Sequence, residues 1–569
     1  MTVKTVIAPT DLGAGLKVVG TKVVADLGSG LTFSGNQIVA LAGTTVDEVV
    51  RNSGVLSGVA LSDADLGYDT ATGRLYYRDA AGNWQPTAQA LITVQYWDTV
   101  TAPTATPSTV VTLPVNSPSR RAYGACWLVD GELWAYGQNA NGTSAGQNGA
   151  LEHNRTPTAI PHNAMTFGDG STTSTPVGRT PNFTRLWANR QDILLLDDQG
   201  KLWFRGTNTA RQSGITAAAA AEILEQPTLI DFFVSNGLTV VDAWISDGDS
   251  DDNYSSCYAI TSSGALYVWG RNAQGQLGIG NTTDQATPVL ASAGFGGSAV
   301  VQVHTSAAGS LNVHAAALLA DGRLFMAGIN NNGELGLGNV TQQNSWVQSR
   351  TNVAYVHCTQ DATFVIDAVT GAVWCAGANA NGWFGRNNTT ASTSWVQSTS
   401  FTGQAVLIRC NGYTRHSIYI VDNGGNLWVG GDNVFSQLGL GAGNATQQNN
   451  HVKLSAAQAP FQTKVKDVQA AGQSGATAYV ITTDGQLWSI GYNAYGQRAL
   501  GNRQDDATYR SVWRQVGVKN LVVTGRIFGV DDSCTIVALD DKGKLRTCGY
   551  DTQMINPLGN WSSSLYSIN

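Results

Sequence analysis

The chain has 569 residues, of which 65 are glycine and only 13% carry a charged side chain. So low a charged fraction argues against long exposed helices, which need Glu, Lys and Arg on their outer faces, and favours short strands joined by turns. The net charge is −7 and no cluster of Lys or Arg is present. This excludes a phosphate-neutralising surface and predicts that the protein does not bind nucleic acid.

The sequence also lacks the signals of membrane insertion and secretion. No apolar run approaches the roughly 18 residues that a membrane-spanning helix needs. The first residues, MTVKTVIAPTDLG, contain no apolar secretion core, and the seven cysteines show no CxxC spacing. We therefore expect a protein that folds in the cytoplasm with reduced thiols, and no pattern points to a cofactor.

The first hundred residues predict a small β-rich domain. Residues 19–41 alternate apolar and polar side chains, and residues 68–87 predict two hairpins with turns at Thr-Gly and Gly-Asn. Residues 43–53, between these strands, are compatible with one short helix. Large apolar side chains are too few to fill a core, so we expect oligomerisation to complete the domain.

Two stretches of this domain, DLGSGLTFSGNQIV and YDTATGRLYYRDAAGNW, resemble the adaptor regions of bacteriophage tail fibres and tail spikes. The resemblance implies a homotrimer in which residues 1–100 attach to other tail or baseplate proteins of a virion. A generic small β-domain is the alternative. The four prolines of residues 101–119 then predict a semi-rigid extended linker.

From residue 131 onward, one seven-residue pattern recurs eight times, at intervals of about 59 residues. Its copies are GELWAYG, GKLWFRG, GALYVWG, GRLFMAG, GAVWCAG, GNLWVGG, GQLWSIG and GKLRTCG. Before each copy lies an apolar strand that ends in a polar turn, as in DILLLDDQ and YVITTD. Each copy therefore predicts a β-hairpin whose strands are joined by a tight turn at Asp-Gly or a similar pair.

A second motif, of the type NAQGQLGIGN, follows most of these hairpins. It is nearly intact around Gly275 and Gly333, close to intact near Gln437, and eroded at Gly142, Gly382 and Tyr495. A Gly-x-Leu-Trp strand followed by Asn-x-x-Gly-Gln-Leu-Gly-x-Gly resembles the repeat of the regulator-of-chromosome-condensation family.

The resemblance implies an all-β fold in which residues 120–569 form a closed β-propeller. Seven blades are the norm of that family, but the hairpin count predicts eight if each hairpin occupies its own blade. The terminal segment SSLYSIN is expected to supply the last strand or to pair with residues near Val110. An open last blade would expose strand edges, so we expect the ring to close.

The densest acidic run, DGDSDDN, is the candidate metal site. Asp247, Asp249 and Asp251 alternate as the first ligands of a calcium loop do. The pattern then fails, because the sixth position lacks glycine and Tyr258 stands at the twelfth, where a bidentate Glu belongs. A solvated loop between strands is the favoured alternative.

Histidines and tryptophans of the repeats favour structural roles. His314 and His416 lie at the start of the strand before a hairpin, where the family uses histidine to bond neighbouring backbone. Most tryptophans occupy the hairpin strand position that predicts core packing, and these are Trp134, Trp203, Trp374, Trp428 and Trp488.

Three aromatic residues in imperfect copies of the loop motif are the candidate receptor-binding residues. Trp383 replaces the usual Gln, and Phe435 and Tyr495 occupy the variable position beside it. Loops at the rim of a propeller bind partners, and exposed aromatics among Asn and Gln stack on sugar rings. Packing between blades is the alternative for each of them.

Three functions follow as hypotheses. The first is a phage tail-fibre protein, located in the virion, whose propeller binds a bacterial surface glycan or outer-membrane receptor and has no catalytic residues. The second is a depolymerase tail spike, for which no pair of carboxylates is identifiable. The third is a protein-binding propeller that acts as an inhibitor or in the manner of an exchange factor. The step from fold to function is an analogy in all three.

Overall fold

The computed structural model divides the chain into two compact units, Met1–Ala102 and Pro103–Asn569. It describes residues 181–516 apart from gaps at 189–191, 216–217, 219–222, 247–254, 292–293, 307–312, 412–415, 442–443, 462, 472–475, 495 and 501. Outside that range it describes the strands alone, with the side chains of Leu128 and Leu133. The predicted linker of residues 101–119 lies outside the described residues.

The described part of the first unit consists of short strands. They are β1 (Leu16–Val19), β2 (Lys22–Ala25), β3 (Leu31–Ser34), β4 (Gln37–Ala40), β5 (Val49–Asn52), β6 (Leu66–Asp69), β7 (Arg74–Arg78) and β8 (Trp84–Pro86). Strands β6, β7 and β8 form the two predicted hairpins. The prediction of a short helix over residues 43–53 is wrong for residues 49–52, because these form β5, which pairs in parallel with β6. The β-branched pair Val49-Val50 fits this strand better than a helix.

The second unit contains eight sheets among the strands that the structure describes. Sheet 1 contains β9 (Gly124–Val129), β10 (Glu132–Gln138) and β11 (His153–Ala159). Sheet 2 contains β12 (Phe183–Ala188), β13 (Ile193–Asp197), β14 (Leu202–Thr207) and β15 (Ile223–Leu229). Sheet 3 contains β16 (Val240–Ile245), β17 (Ser256–Thr261), β18 (Leu266–Gly270) and β19 (Gln285–Leu290). Sheet 4 contains β20 (Val300–Thr305), β21 (His314–Leu319), β22 (Leu324–Gly328) and β23 (Gln343–Arg350).

The remaining four sheets are likewise formed by strands that are consecutive in the chain. Sheet 5 contains β24 (Val353–Cys358), β25 (Ala362–Asp367), β26 (Val373–Gly377) and β27 (Ser392–Gln397). Sheet 6 contains β28 (Ala405–Asn411), β29 (Ser417–Asp422), β30 (Leu427–Gly431) and β31 (Gln448–Lys453). Sheet 7 contains β32 (Val465–Ala471), β33 (Thr477–Thr482), β34 (Leu487–Gly491) and β35 (Arg514–Gln515). Sheet 8 contains β36 (Leu521–Val522), β37 (Phe528–Val530), β38 (Ser533–Asp540), β39 (Leu545–Tyr550) and β40 (Trp561–Ser567). The described residues also include two short helices, α1 (Asp231–Ser235) and α2 (Ala507–Arg510).

Each predicted hairpin therefore lies in a sheet of its own, which confirms the count of eight among the described strands. Strand order within sheets 1 to 7 follows the chain, and the first strands of consecutive sheets from sheet 2 to sheet 7 lie beside one another. Sheets arranged in this way around their first strands form a β-propeller, in which the first strands face the axis. The terminal SSLYSIN segment falls largely within β40, which pairs with β39 as the outer strand of sheet 8.

The hairpin turns explain why aspartate and tryptophan recur six residues apart. In sheet 2, Asp197 Oδ1 accepts hydrogen bonds from the backbone N–H groups of Gln199 and Lys201, both at 2.9 Å. Its other oxygen accepts the indole N–H of Trp203 at 3.2 Å. In sheet 6, the indole of Trp428 donates to Asp422 in the same way at 3.0 Å. The carboxylate thus closes the turn and satisfies a buried donor.

From sheet 2 to sheet 7, the turn glycine of each sheet is hydrogen-bonded to the first strand of the next sheet. Gly200 has φ of 73°, and a Cβ there would lie 2.4 Å from Thr239 Cγ2, so only glycine fits. Its carbonyl accepts the backbone N–H of Val240, the first residue of the following sheet, at 2.9 Å. The same bond recurs from Val300 to Gly264, Val353 to Gly322, Ala405 to Gly371 and Val465 to Gly425.

The hydrophobic core lies between consecutive sheets. One cluster joins sheets 2 and 3 through Phe204 and Trp269, and another joins sheets 6 and 7 through Val429 and Trp513. The prediction that the tryptophans of the hairpin strands lie in the core is confirmed for those whose side chains are described. Trp203, Trp428 and Trp488 are buried, and half-buried Trp374 lies under the guanidinium of Arg350 at 4.0 Å.

Candidate functional site

An asparagine latch holds the loop that follows the hairpin in each of sheets 3 to 7. In sheet 3, Asn272 Nδ2 donates to the carbonyls of Asn281 and Thr283 at 2.9 and 3.1 Å, and its Oδ1 accepts the N–H of Leu277 at 3.0 Å. Equivalent latches are made by Asn330, Asn379, Asn433 and Asn493. The first Asn of the repeat motif is therefore structural, because its amide is consumed within the loop.

The glutamine of the motif is also used internally. Gln276 Oε1 accepts the N–H of Gln274 at 2.9 Å, and its Nε2 donates to Ser256 Oγ at 3.1 Å. Gln437 makes the corresponding bonds to Phe435 N–H and Ser417 Oγ. An intact motif thus builds a rigid loop and leaves neither amide free for a ligand.

Trp383 does not form part of an exposed surface, whereas its prediction as a receptor-binding residue assumed an exposed ring. Its side chain is 0% exposed, and its indole N–H donates to Ala378 O at 2.8 Å. The ring stacks on His416 of sheet 6 at 4.3 Å with an interplanar angle of 19°. Trp383 stands in place of the usual Gln and packs against the next sheet. This contact is the packing between blades that the sequence left open as the alternative.

Phe435 is the one predicted receptor-binding residue that the described residues leave half-exposed. Its ring lies 5.1 Å from that of Tyr492 in sheet 7, edge to face. The guanidinium of Arg510 lies 5.3 Å from the Phe435 ring and 5.1 Å from the Tyr492 ring. We call Phe435, Tyr492 and Arg510 the aromatic platform.

Arg510 is fixed in this position by Asp505. Its Nε donates to Asp505 Oδ1 at 2.7 Å, and a terminal nitrogen donates to the other oxygen of the carboxylate. These bonds raise the pKa of Arg510 above its ordinary value, so the guanidinium stays charged. Exposed Val434 and Val512 neighbour the platform residues in the chain, at 48% and 38% exposure. Sequence reasoning missed Tyr492 and Arg510, because neither stands in a recurring position of the motif.

The other predicted sites lie outside the described residues. Tyr495 is in one of the gaps, and so is the acidic run with Asp247, Asp249 and Asp251. Their roles stay predictions. Among the residues that the structure describes, no group of three or more His, Cys, Asp or Glu side chains is placed to hold a metal ion.

The two predicted structural histidines bond side chains of neighbouring sheets. His314 Nε2 lies 2.9 Å from Thr363 Oγ1 of sheet 5, and burial lowers the pKa of this histidine to about 3. His416 Nδ1 lies 3.1 Å from Asn381 Oδ1, and its Nε2 lies 3.5 Å from an oxygen of Asp361. Both rings therefore tie one sheet to the next.

Sequence reasoning also missed a buried carboxyl in sheet 2. Asp192 is 0% exposed and accepts hydrogen bonds from Ser255 Oγ at 2.8 Å and from the N–H of Thr207 at 2.9 Å. Burial raises its pKa to about 6, against the opposing effect of these bonds. The carboxyl joins sheets 2 and 3, and its full burial keeps it from a solvent-borne ligand.

A serine–histidine pair raises the question of catalysis. Ser398 Oγ lies 2.9 Å from His451 Nδ1, while His451 Nε2 lies 2.9 Å from Trp383 O. Such a pair activates a nucleophile only where a substrate reaches it. Both side chains are buried, so the pair acts as a joint between sheets 5 and 6.

The first strands present aromatic and charged side chains in register toward the axis. Rings of Trp244, His304 and His357 follow one another across three sheets, with centroids 4.8 and 4.7 Å apart. Arg409 of the next sheet donates to the hydroxyl of Tyr355 at 2.9 Å. These ring contacts and the hydrogen bond from Arg409 connect the first strands of consecutive sheets through their side chains.

The structure describes four of the seven cysteines and two helices. Cys257, Cys358 and Cys375 are buried free thiols, and Cys410 is a half-buried one. Neither helix in the described part of the chain has the length and apolar character that crossing a membrane requires.

A comparison with protein families places a repeat of a known family within the second unit. Residues 263–311 match the Regulator of chromosome condensation (RCC1) repeat. These residues cover β18 and β19 of sheet 3, the latched loop between them and the first strand of sheet 4. The match therefore falls on the part of the propeller where the loop motif is most intact.

Several curated proteins are similar over part of the chain. The Ultraviolet-B receptor UVR8 of Arabidopsis thaliana is 29% identical over 45% of this chain and 43% of its own length. The E3 ubiquitin-protein ligase HERC2 of Homo sapiens is 36% identical over 20% of this chain and 2% of its own length. The chain thus spans less than half the length of these relatives.

Solved structures with similar chains are human WBSCR16 and Prp20p from Saccharomyces cerevisiae. WBSCR16 has 15% identity and a TM-score of 0.49 over 70% of this chain and 98% of its own. Prp20p has 16% identity and a TM-score of 0.48 over 73% of this chain and 91% of its own. The matched repeat and the succession of meander sheets together identify the second unit as an RCC1-like β-propeller.

Proposed function

We propose that the propeller is a protein-binding module and that the aromatic platform of Phe435, Tyr492 and Arg510 is its contact surface. The observation that carries the proposal is the geometry of Arg510. Asp505 fixes its guanidinium at 5.1 and 5.3 Å from two half-exposed rings. Aromatic and Arg side chains of this kind are enriched at the centres of protein interfaces, where they contribute most of the binding energy.

The surroundings of the platform favour a protein over a sugar. Arg510 lies over both rings, so that side of each ring is covered and cannot take a sugar in a stacked arrangement. Exposed Val434 and Val512 extend the surface with aliphatic groups, which suit the apolar centre of a protein interface. On this proposal the propeller acts by binding and not by catalysis.

The test is affinity capture with the full chain from a lysate of the organism that encodes it. Phe435→Ala combined with Arg510→Glu removes one ring and reverses the charge over the other. Val369→Ala is the matched control, because Val369 is 77% exposed in a hairpin turn of sheet 5 and contacts neither ring. We expect a protein captured by the unmodified chain and by the control to be lost with the double variant.

Two results would contradict the proposal. One is the same set of captured proteins with all three chains, and the other is no captured protein at all. Thermal unfolding of each variant shows whether lost capture reflects lost folding, and equal midpoints are required before the capture is compared.

The tail-fibre function stays a prediction, and none of the relatives named above is a virion protein. It is tested by binding the full chain and a chain without residues 1–118 to intact bacterial cells of several strains. Strain-restricted binding that survives the platform variant and is competed by surface polysaccharide would favour a glycan receptor over the protein partner proposed here.

A further inference from the structure

The loop of sheet 4 departs from the repeat motif at one residue, Glu334, which stands where the motif has glutamine. Its side chain is 1% exposed, and its Oε2 accepts the N–H of Asn332 at 2.7 Å. At the same place in sheet 3, Gln276 accepts the N–H of Gln274 through Oε1. One oxygen of Glu334 therefore takes over the acceptor role of the glutamine, and the other replaces the donor group Nε2.

A carboxyl group can replace that donor only when it holds a proton. Gln276 Nε2 donates to Ser256 Oγ at 3.1 Å, and Gln437 Nε2 donates to Ser417 Oγ at 3.1 Å. An ionised carboxyl has no hydrogen to donate, whereas a protonated one carries an O–H group. The neutral form of Glu334 is thus the form that matches the glutamine of the other loops.

The motif position of Glu334 faces the residue that precedes the second strand of the next sheet. Trp383 holds this position in sheet 5, and its ring stacks at 4.3 Å on His416, the residue before β29. The corresponding neighbour of Glu334 is Asp361, the residue before β25. Burial raises the pKa of Glu334 above its ordinary value, and the charge of Asp361 adds to this rise against the opposing backbone N–H groups. Two carboxyls, one from sheet 4 and one from sheet 5, thus interact across the joint.

The histidines around this pair leave Glu334 as the carboxyl that keeps a proton. His314 takes the place of Ser256 at the start of the second strand of sheet 4, and burial lowers its pKa to about 3, so it brings no charge to the pair. His416 faces Asp361 from sheet 6, with Nε2 at 3.5 Å from Oδ1. Burial raises the pKa of Asp361, and the charge of His416 opposes that rise. Ionisation is therefore assisted at Asp361 and opposed at Glu334.

We propose that the joint between sheets 4 and 5 is a pH-sensitive switch, which stays closed while Glu334 holds a proton and loosens when Glu334 and Asp361 are both ionised. Ionisation removes the donor from the Glu334 side chain and places two like charges in a buried joint. Because the pKa of Glu334 is raised, the folded state keeps a proton that the unfolded chain releases around pH 4.5. The stability this contributes is fully present below pH 4.5 and is lost as the pH rises through the pKa of the folded protein.

Sheet 5 then lies between two joints with opposite responses to pH. The joint on its other side contains His451, whose pKa burial lowers to about 4, so that joint weakens in acid. Rising pH loosens the side that faces sheet 4. Asn331 and Asn332, which are exposed beside Glu334, form the part of the rim that this change releases.

The experiment is chemical denaturation of the full chain from about pH 4.5 to about pH 8. The variants are Glu334→Gln, Asp361→Asn and both together, and Glu334→Gln introduces the residue that sheets 3 and 6 carry at this position. We expect the unfolding equilibrium constant of the original, divided by that of Glu334→Gln, to rise with pH by at most about tenfold for each unit. Titrations common to both chains cancel in this ratio. The coupling between the two substitutions should grow with pH, because only two ionised carboxyls repel each other.

A local measurement shows whether the change occurs at this joint. Hydrogen exchange of the peptide that contains residues 329–339, corrected for the intrinsic effect of pH, should show protection that falls with rising pH in the original and is retained in Glu334→Gln. Asp321→Asn is the matched control, because it removes an exposed negative charge from a hairpin turn of the same sheet. Bonds from Arg323 lower the pKa of Asp321 to about 2, so its charge is constant over the range.

Several results would overturn the switch. These are a ratio that stays constant with pH, an equal rise in the ratio for Asp321→Asn, coupling that does not change with pH, or loop protection that is the same in the original and in Glu334→Gln. If Asp361→Asn does not fold, the ratio for Glu334→Gln and the exchange of the loop peptide decide the question. The pair shares no residue with the aromatic platform, so the outcome of the lysate capture leaves this test unaffected.

Discussion

Sheets 3 and 5 carry the same loop with different sequences. In sheet 3 the loop reads NAQGQLGIGN, and in sheet 5 it reads NANGWFGRNN. Both loops keep the latch: Asn272 Oδ1 accepts the N–H of Leu277 at 3.0 Å, and Asn379 Oδ1 accepts that of Phe384 at 3.0 Å. The fold of the loop therefore depends on one amide and tolerates change at the positions that face the next sheet.

The two loops meet the next sheet in different ways. In sheet 3, a Cβ on Gly278 would lie 2.4 Å from the indole of Trp346. In sheet 5, Gly385 faces His451 instead, and Trp383 takes the place of the bracing glutamine. The intact loop of sheet 3 thus contacts the indole of Trp346, while the eroded loop of sheet 5 contacts the titratable imidazole of His451. Erosion of the motif changes the chemistry of the joint between sheets and not its shape.

Loss of the asparagine latch should destabilise sheets 3 and 5 equally, and we expect it to lower the free energy of unfolding more than any other change proposed below. Asn272→Ala and Asn379→Ala each remove two donated bonds and leave a buried N–H without its acceptor. We expect each to lower the free energy of unfolding by roughly 3 kcal/mol. Chemical denaturation of the two variants measures it. A loss in sheet 3 with none in sheet 5 would show that the eroded loop has another means of support.

The close contact between a loop glycine and an indole of the next sheet can be tested in sheet 4, where the loop motif is nearly intact and Gly336 faces Trp395. Gly336 has φ of 69°, and a Cβ there would lie 2.4 Å from Trp395 Nε1. Gly237 has φ of 65° with nothing within 4 Å, so Gly237→Ala bears the backbone strain alone. We expect Gly336→Ala to cost roughly 2 kcal/mol more than Gly237→Ala, because it also overpacks the joint. Equal losses in denaturation would refute the contact.

Acid should weaken the joint of sheets 5 and 6 that contains His451. Burial lowers the pKa of His451 from 6.5 to about 4, so the folded protein resists the proton that the unfolded chain takes up. The stability this contributes is present above pH 6.5 and is lost as the pH falls toward 4, by about 1.4 kcal/mol for each unit at most.

The variant His451→Gln keeps a polar side chain and removes the titration. We expect the difference in unfolding free energy between the original and the variant to shrink by about 2 kcal/mol between pH 6.5 and 5. Denaturant midpoints of both proteins across this range measure it. A constant difference would mean that His451 is not shielded as described.

The smallest expected effect concerns the hairpin turns of sheets 6 and 7. Asp422 accepts the indole N–H of Trp428, whereas Thr482 stands at the matching place in sheet 7 and the buried Trp488 Nε1 has no hydrogen-bond partner. Thr482→Asp should supply that acceptor and raise the unfolding free energy by about 1 kcal/mol. Asp422→Thr, its mirror change, should cost a similar amount. Thermal unfolding of both variants checks the pair.

The recurring parts of the fold could be predicted from sequence. The hairpins are countable because those of sheets 2 to 7, whose turns the structure describes, each depend on a local rule: an acceptor at the turn, a glycine that allows positive φ, and an apolar strand on either side. The RCC1-like repeat was recognisable for the same reason, since its Asn, Gly and Leu are fixed within one loop.

The candidate site was harder, because it depends on contacts between sheets. Trp383 and Phe435 stand in similar loops, yet one is buried against His416 and the other is half-exposed beside Tyr492. What decides between these outcomes is the residue that the next sheet presents, which lies many positions later in the chain. Arg510 and Asp192 were missed for that reason, since neither has a recurring partner within its own repeat.

The backbone bond from Val240 to the turn glycine Gly200 has a consequence for synthesis of the chain on the ribosome. A completed hairpin already offers the carbonyl that the next first strand uses, so each sheet can dock as soon as its opening residues emerge. Growth from the amino-terminal side would keep exposed strand edges short-lived. The order of the genetic message would then also be the order in which sheets 2 to 7 assemble.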